Sequence, residues 1–254
     1  MRYRTHVVAA AGTFLAAASL LAHLSPSGAA PARPAAAGPG AAGAPAGVPG
    51  PPSALLQEGT VTAAQLLARV GRCDQVSDGM FRMDDEDEEP TVPVCGTPGA
   101  VFWKADLDID CDGQATAHCN ADTDGSFQDM TAFTQSDGRP LDAERLPYVV
   151  VPGPSGTWDH RAFGIRGGGL AAVVHDGQVQ YAVVGDTGPA GLIGEASYAT
   201  AHALGITPDP EGGGTPEDVT YILFRNTSVR PPEDHAAAVR MGDRLAREFV
   251  AGAR

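Results

Sequence analysis

Three observations predict a β-rich α+β fold: a small barrel-like β core with a few peripheral helices. First, short apolar runs rich in β-branched and aromatic residues recur at 100–103, 148–151, 170–175, 178–184 and 219–224. Each has the length of a strand rather than of a buried helix. Second, two of these runs flank Asp176-Gly177, the strongest short-range hairpin signal. Third, helical periodicity is confined to the two ends of the folded region and to one segment inserted between strands.

The first residues read as targeting rather than fold. Arg2 and Arg4 begin a basic start, an alanine-rich apolar run covers 7–24, and Ser27-Gly28-Ala29 supplies the small residues of a cleavage site. The run is short for a membrane span, and no basic cluster follows it. Residues 1–29 are therefore expected to be a cleaved secretory signal, with an uncleaved anchor as the alternative. Residues 30–53 are nearly all Ala, Gly and Pro, a linker that cannot bury a core. The folded domain is expected over 54–254. The formal charge is −14, which argues against nucleic acid and anionic lipid as partners. It fits a cationic substrate, or simply a soluble secreted protein.

Four cysteines, Cys73, Cys95, Cys111 and Cys119, read as two disulfides in an exported chain. Three pairings are possible; Cys73–Cys95 and Cys111–Cys119 close the shorter loops and are preferred. No C-x-x-C spacing supports the alternative of a zinc site.

Element by element, 60–70 predicts a helix, with Thr60 or Thr62 as cap, Leu66, Leu67 and Val70 as apolar face, and Gly71 as stop. Six consecutive acids at 84–89 predict a solvated loop; binding of a cationic sugar chain or calcium is the alternative. The strand at 100–103 leads into Asp106, Asp108, Asp110 and Asp112, which would share one face of an extended segment. Asp108-x-Asp110-x-Asp112-Gly113 matches the first half of an EF-hand loop, but Cys119 stands where the bidentate Glu is needed. Asp122, Asp124 and Asp129, in a polar stretch, are expected at the surface. Trp158 and Phe163 are expected to pack, and Arg166-Gly-Gly-Gly169 to make a tight turn. After the hairpin, 195–204 predicts a helix. The last helix, opened by Pro231-Pro232, runs to 250 with Ala238, Met241, Leu245 and Phe249 on one face.

The chemistry concentrates in Tyr181-Ala-Val-Val-Gly-Asp-Thr-Gly-Pro-Ala-Gly-Leu-Ile-Gly-Glu-Ala-Ser197. Asp186 ends an apolar strand and Glu195 follows a turn with glycines at 188, 191 and 194. Two acids across such a turn suit glycoside hydrolysis, in which one protonates the leaving oxygen and the other activates water or attacks the sugar. The bland alternative is a turn-capping Asp and a Glu complementing a helix dipole. Ser197 lacks the G-x-S-x-G elbow of a serine hydrolase, and no H-E-x-x-H pair points to catalytic zinc. A helix-start position for Glu195 favours the base, whereas Glu is the commoner proton donor; the balance leans to Glu195 as acid.

Asp108-Ile-Asp-Cys-Asp-Gly113, Pro147-Tyr-Val-Val-Val-Pro152, Gly185-Asp-Thr-Gly-Pro189 and Gly194-Glu-Ala-Ser197, in this order and spacing, resemble the chitosanases of glycoside hydrolase family 75. The resemblance covers roughly residues 102–224. It implies endo-acting, inverting hydrolysis of β-1,4-linked glucosamine polymers without a metal or other cofactor. It places the two essential acids on Asp186 and Glu195. Inversion implies carboxyl groups roughly 6.5–9.5 Å apart. The expected partner is chitosan, a cationic polysaccharide, with Asp106, Asp108, Asp110 and Asp112 as candidate ammonium-binding residues. A secreted monomer is expected, touching neither nucleic acid nor, once the signal is removed, membrane. The rival readings are a non-catalytic or calcium-stabilised polysaccharide-binding module, and a glycosidase for another amino-sugar polymer.

Overall fold

The computed structural model describes residues 57–85 and 89–252. The expected signal (1–29), the linker (30–53) and the middle of the acidic run (86–88) lie outside the described residues. In chain order the elements are α1 (Ala63–Arg69), β1 (Asp74–Gln75), β2 (Cys95–Thr97), β3 (Ala100–Asp110), β4 (Tyr148–Pro152), a 3-10 turn (His160–Phe163), β5 (Leu170–His175), β6 (Gln178–Gly188), β7 (Glu195–Ser197), α2 (Tyr198–Ala203), β8 (Thr215–Phe224) and α3 (His235–Val250).

Six strands close on themselves in the order β3-β7-β4-β6-β5-β8, with β8 returning antiparallel to β3. Closure leaves no exposed edge around the ring. Strands β1 and β2 extend outward from the first half of β3. Successive strand residues enter two separate apolar layers, as the period of two requires. Phe102, Tyr148, Tyr181, Ile222 and Phe224 share one layer with Leu66 of α1 and Ala238, Leu245 and Phe249 of α3. Val101, Trp103, Val149, Ala182, Val184, Tyr221 and Leu223 belong to the other. Helices α1 and α3 cover the first layer, and Ala201 of α2 with the adjoining Leu204 packs into the second.

Local chemistry explains the main connections. Thr62 caps α1 in a capping box: its hydroxyl accepts the Gln65 N–H at 3.3 Å and the Gln65 side chain accepts the Thr62 N–H at 2.9 Å. Thr60, the other candidate cap, instead donates to Asp243 of α3. The β5–β6 hairpin turns on Asp176 (φ 43°) and Gly177 (φ 76°), both left-handed as a type I′ turn demands. Gly169 N–H donates to Arg166 C=O at 2.8 Å, the expected tight turn. Trp158 is buried against Trp103 and Phe163, so both aromatics pack. The cysteines pair as Cys73–Cys95 and Cys111–Cys119. No described helix is long and apolar enough to cross a membrane.

Two expectations are corrected. The strand at 100–103 continues to Asp110, because antiparallel pairing with β8 carries the backbone to Leu107 and parallel pairing with β7 holds Asp108–Asp110. The helix expected at 195–204 begins only at Tyr198. Its first three residues pair with β3 and β4 as β7, and Ser197 is the helix cap.

Candidate active site

Strand register places the acids. Asp108 of β3 pairs with Glu195 of β7. Ala196 pairs antiparallel with Val149 of β4, which sets Glu195 beside Val150. Val150 in turn pairs with Asp186 of β6. Asp108, Glu195, Val150 and Asp186 thus form one row across four adjacent strands, with the two principal acids on either side of β4. Ser197 fixes this corner. Its buried hydroxyl donates to Leu146 C=O at 2.9 Å and accepts the N–H groups of Tyr148 (3.0 Å) and Thr200 (3.2 Å).

Two glycines let the acids approach. Gly194 has φ 119°, and a Cβ there would run into the Asp106 carboxyl. A Cβ on Gly188 would lie 3.1 Å from Glu195 Oε2 and 3.2 Å from Val150 Cγ1. The Glu195 carboxyl therefore rests over the Gly188 backbone, where larger residues would displace it.

Each acid of the site is held differently. Asp186, 7% exposed, accepts the Ala132 N–H at 2.8 Å and the Thr187 N–H at 2.7 Å through Oδ1. Burial raises its pKa above the usual carboxylate value, partly offset by these two bonds. Glu195 is pushed up to about 8, first by burial and then by the charges of Asp108, Asp112, Asp186 and Asp124. Asp112 is pushed up to about 6 by burial, against the opposing Gln128 bond and with Asp186 adding to the rise; it accepts the Gln128 N–H at 2.7 Å. Asp110 accepts the Asp112 N–H at 2.6 Å, and burial holds its pKa well above the usual value.

The acids open into a cleft of about 650 Å³ with an adjoining lobe of about 230 Å³ that reaches Asp186. Among the described residues, eight carboxylates line the larger part, those of Asp85, Asp108, Asp110, Asp112, Asp124, Glu195, Asp209 and Glu211, and no Lys, Arg or His does. Such a surface selects positively charged ligands. Of the four upstream aspartates, Asp108, Asp110 and Asp112 line the cleft. Asp106, 3% exposed, lies beneath Gly194 and outside the lining. The EF-hand pattern is not formed as a loop: Asp108 and Asp110 stand on β3. The carboxylates of Asp110, Asp112 and Asp186, whose oxygens lie within 4.8 Å of one another, are each held by backbone N–H groups.

A sequence profile described as fungal chitosanase of glycosyl hydrolase group 75 matches residues 107–249. The chain belongs to glycosyl hydrolase group 75. It is thus a glycoside hydrolase, and the matched span contains every cleft acid of β3, β6 and β7. Among curated relatives, an endo-chitosanase of Aspergillus fumigatus is 31% identical over 198 residues, 70% of this chain and 79% of its own length. Endo-chitosanase B of Aspergillus oryzae (strain ATCC 42149 / RIB 40) is 29% identical over 178 residues, 63% of this chain and 74% of its own.

Sequence reasoning missed several parts of this candidate site. Asp124, expected at the surface, lines the cleft because the loop after β3 folds back over it, pinned by Cys111–Cys119 and by the Asp112–Gln128 bond. Tyr148 was expected only as core; its hydroxyl reaches the site and donates to Asp112 C=O at 3.1 Å. The Ala132 N–H on Asp186 had no signal in sequence at all. The helix-dipole argument for Glu195 fails, since Glu195 precedes α2 by three positions on β7 and its pKa is raised.

Proposed function

We propose that this protein is a secreted, endo-acting chitosanase that hydrolyses β-1,4 linkages between glucosamine units with inversion. Residues 1–29 are its signal, 30–53 its linker and 54–254 its catalytic domain, acting as a monomer. The observation that carries the reading is the row of acids across β4, opening into a cleft whose described lining holds eight carboxylates and no cation. The family and the printed names of the relatives agree with it.

Glu195 is the general acid. Held at about 8, its carboxyl keeps a proton at neutral pH and gives it to the leaving glycosidic oxygen. Asp186 is the general base. Its two backbone bonds aim the carboxylate, which takes a proton from water as the water oxygen attacks the anomeric carbon. The two strands bearing them are separated by β4, two inter-strand steps of about 4.8 Å each. That spacing supports a water-sized gap between the carboxyls and hence inversion. Asp108 and Asp112 receive substrate ammonium groups along the cleft, the charge complementarity that selects glucosamine.

The test is incubation of the mature protein with a glucosamine hexamer, followed by proton NMR of the new anomeric signal. Wild type should release the α-anomer first, and Asp186→Asn and Glu195→Gln should release no product above background. Full hydrolysis by either variant, or first release of the β-anomer, would overturn the assignment.

A further inference from the structure

The strand ladder that carries the acids runs on past Asp186. Gly168 N–H donates to Val184 C=O at 2.9 Å, and Val229 N–H donates to Gly168 C=O at 2.7 Å. The stretches 167–168 and 228–232 therefore follow β6 on the side away from β4. With 132–136 they enclose a second cavity of about 760 Å³, a size usual for ligand sites. One residue joins it to the cleft. Ala132 lines this cavity, and its N–H holds the Asp186 carboxylate at 2.8 Å. Met130, 61% exposed, lies on the stretch that leads from Gln128 of the Asp186 lobe to Ala132. The wall is closely fitted. A Cβ on Gly167 would run into the Phe133 ring, and one on Gly168, which has φ 72°, would lie 3.2 Å from Val229 C=O.

The chemistry of this cavity is the reverse of the cleft's. Among the described residues no Asp or Glu lines it, and its one charged group is the exposed Arg230. The acids next to it in the chain are engaged with other groups. Glu233 accepts the Ser136 N–H at 3.0 Å and the Ser136 hydroxyl, and Asp137 pairs with Arg139 at 2.7 Å. Phe133, Pro231 and Pro232 supply apolar surface, and Thr134 and Ser228 supply exposed hydroxyls. A glucosamine ammonium placed here meets a like charge and no carboxylate of the lining. An acetamido group suits it: the carbonyl accepts from a guanidinium, the methyl rests on apolar surface, and there is no charge to be repelled.

We propose that this cavity is a further sugar subsite, one that takes an N-acetylglucosamine unit of partially acetylated chitosan. The proposal rests on the reading of the cleft as a chitosan site. The substrate chain lays its ammonium groups among the cleft carboxylates and carries an acetylated unit past Asp186 and Ala132 into the cavity. No bond changes there. The subsite acts by binding alone, and it makes the enzyme read free and acetylated units at different points along one chain.

Amide NMR tests the cavity without activity. Millimolar N-acetylglucosamine dimer should shift the Gly167, Gly168 and Ser228 signals, and glucosamine dimer should leave them in place. Shifts with both dimers, with glucosamine dimer alone, or with neither would overturn the proposal. Kinetics of Arg230→Glu, with a melting temperature to confirm folding, reverse the charge. The ratio of kcat/KM on partially acetylated to that on fully deacetylated chitosan should fall by about ten-fold from the wild-type ratio. Arg230→Gln, which keeps a donor without the charge, should lower it by about three-fold. An unchanged ratio in both variants contradicts the assignment. Mass-spectrometric sequencing of early products should show acetylated units enriched at one fixed position away from the cut in wild type, and the enrichment lost in Arg230→Glu; an even spread in wild type would count against the subsite. Failure of wild type to cleave the glucosamine hexamer would instead sink the chitosanase reading, with the dimer titration still deciding this site.

Discussion

The acids of the cleft and those beneath α3 are the same residue types under opposite management. In the cleft, Asp110, Asp112, Asp186 and Glu195 face one another with no cation in the described lining. Where the chain enters the fold, Glu58 accepts the Tyr181 N–H at 2.8 Å and meets His235 at 2.6 Å. Nearby, Asp243 accepts from Thr60 and pairs with Arg247 at 2.7 Å. Burial would raise the Asp243 pKa, but the Thr60 bonds and the Arg247 charge outweigh it and hold the carboxyl below its usual value. One set ties the N-terminal segment to the barrel; the other stores unfavourable charge for a cationic ligand to relieve. The comparison shows that a carboxylate's burial and partners together, not its type, decide whether it stabilises the fold or serves the chemistry.

The comparison breaks first at catalysis. Asp186→Asn and Glu195→Gln should each lower kcat on a glucosamine oligomer by about 1,000-fold or more, measured by initial rates, whereas Asp243→Asn should change kcat by less than about two-fold. Next in size are the disulfides. In the chain-entropy picture, losing Cys73–Cys95, with a separation of 22, costs about 3.4 kcal/mol, and losing Cys111–Cys119, with a separation of 8, about 2.5 kcal/mol. Denaturant unfolding checks both. Only the second should also raise KM, because it pins the loop carrying Asp112 and Asp124.

Smaller effects carry the sharpest contrast in sign. The Glu195 pKa is raised from 4.5 to about 8 in the folded state, so the native protein holds a proton that the unfolded chain releases. Stability therefore falls as pH rises through this window. Glu195→Gln should flatten the fall and gain about 1–2 kcal/mol at pH 7 in thermal unfolding. Asp243 is depressed from 3.8, so its contribution is present above that value and is lost as pH falls through its folded pKa. Asp243→Asn should lower stability at pH 7 by about 0.5–1 kcal/mol and have little effect once the carboxyl is protonated.

What could be read in the sequence was local. The Asp176-Gly177 hairpin, the Thr62 cap and the apolar strands follow from short-range pattern, and the Asp186–Glu195 pair stood out against its glycines. What could not be read depends on distant neighbours. Strand β3 continues through Asp106 because β8, more than 100 residues later, pairs with it as far as Leu107, and on through Asp108 because β7 pairs with it there. Glu195 reads as a helix start until β3 and β4 take it as β7. Asp124 reads as surface until its loop returns over the cleft. The state of Glu195 was the least legible feature, since it is set by burial and then by the charges of Asp108, Asp112 and Asp186, brought to it from distant parts of the chain.

The central claim is that Glu195 carries the reacting proton at neutral pH beside an ionised Asp186. Carbon-13 NMR of glutamate carboxyls, with Glu195 assigned by its absence in Glu195→Gln, measures that directly. The account predicts titration near pH 8 in the free protein; a midpoint near the ordinary value of about 4.3 would contradict it.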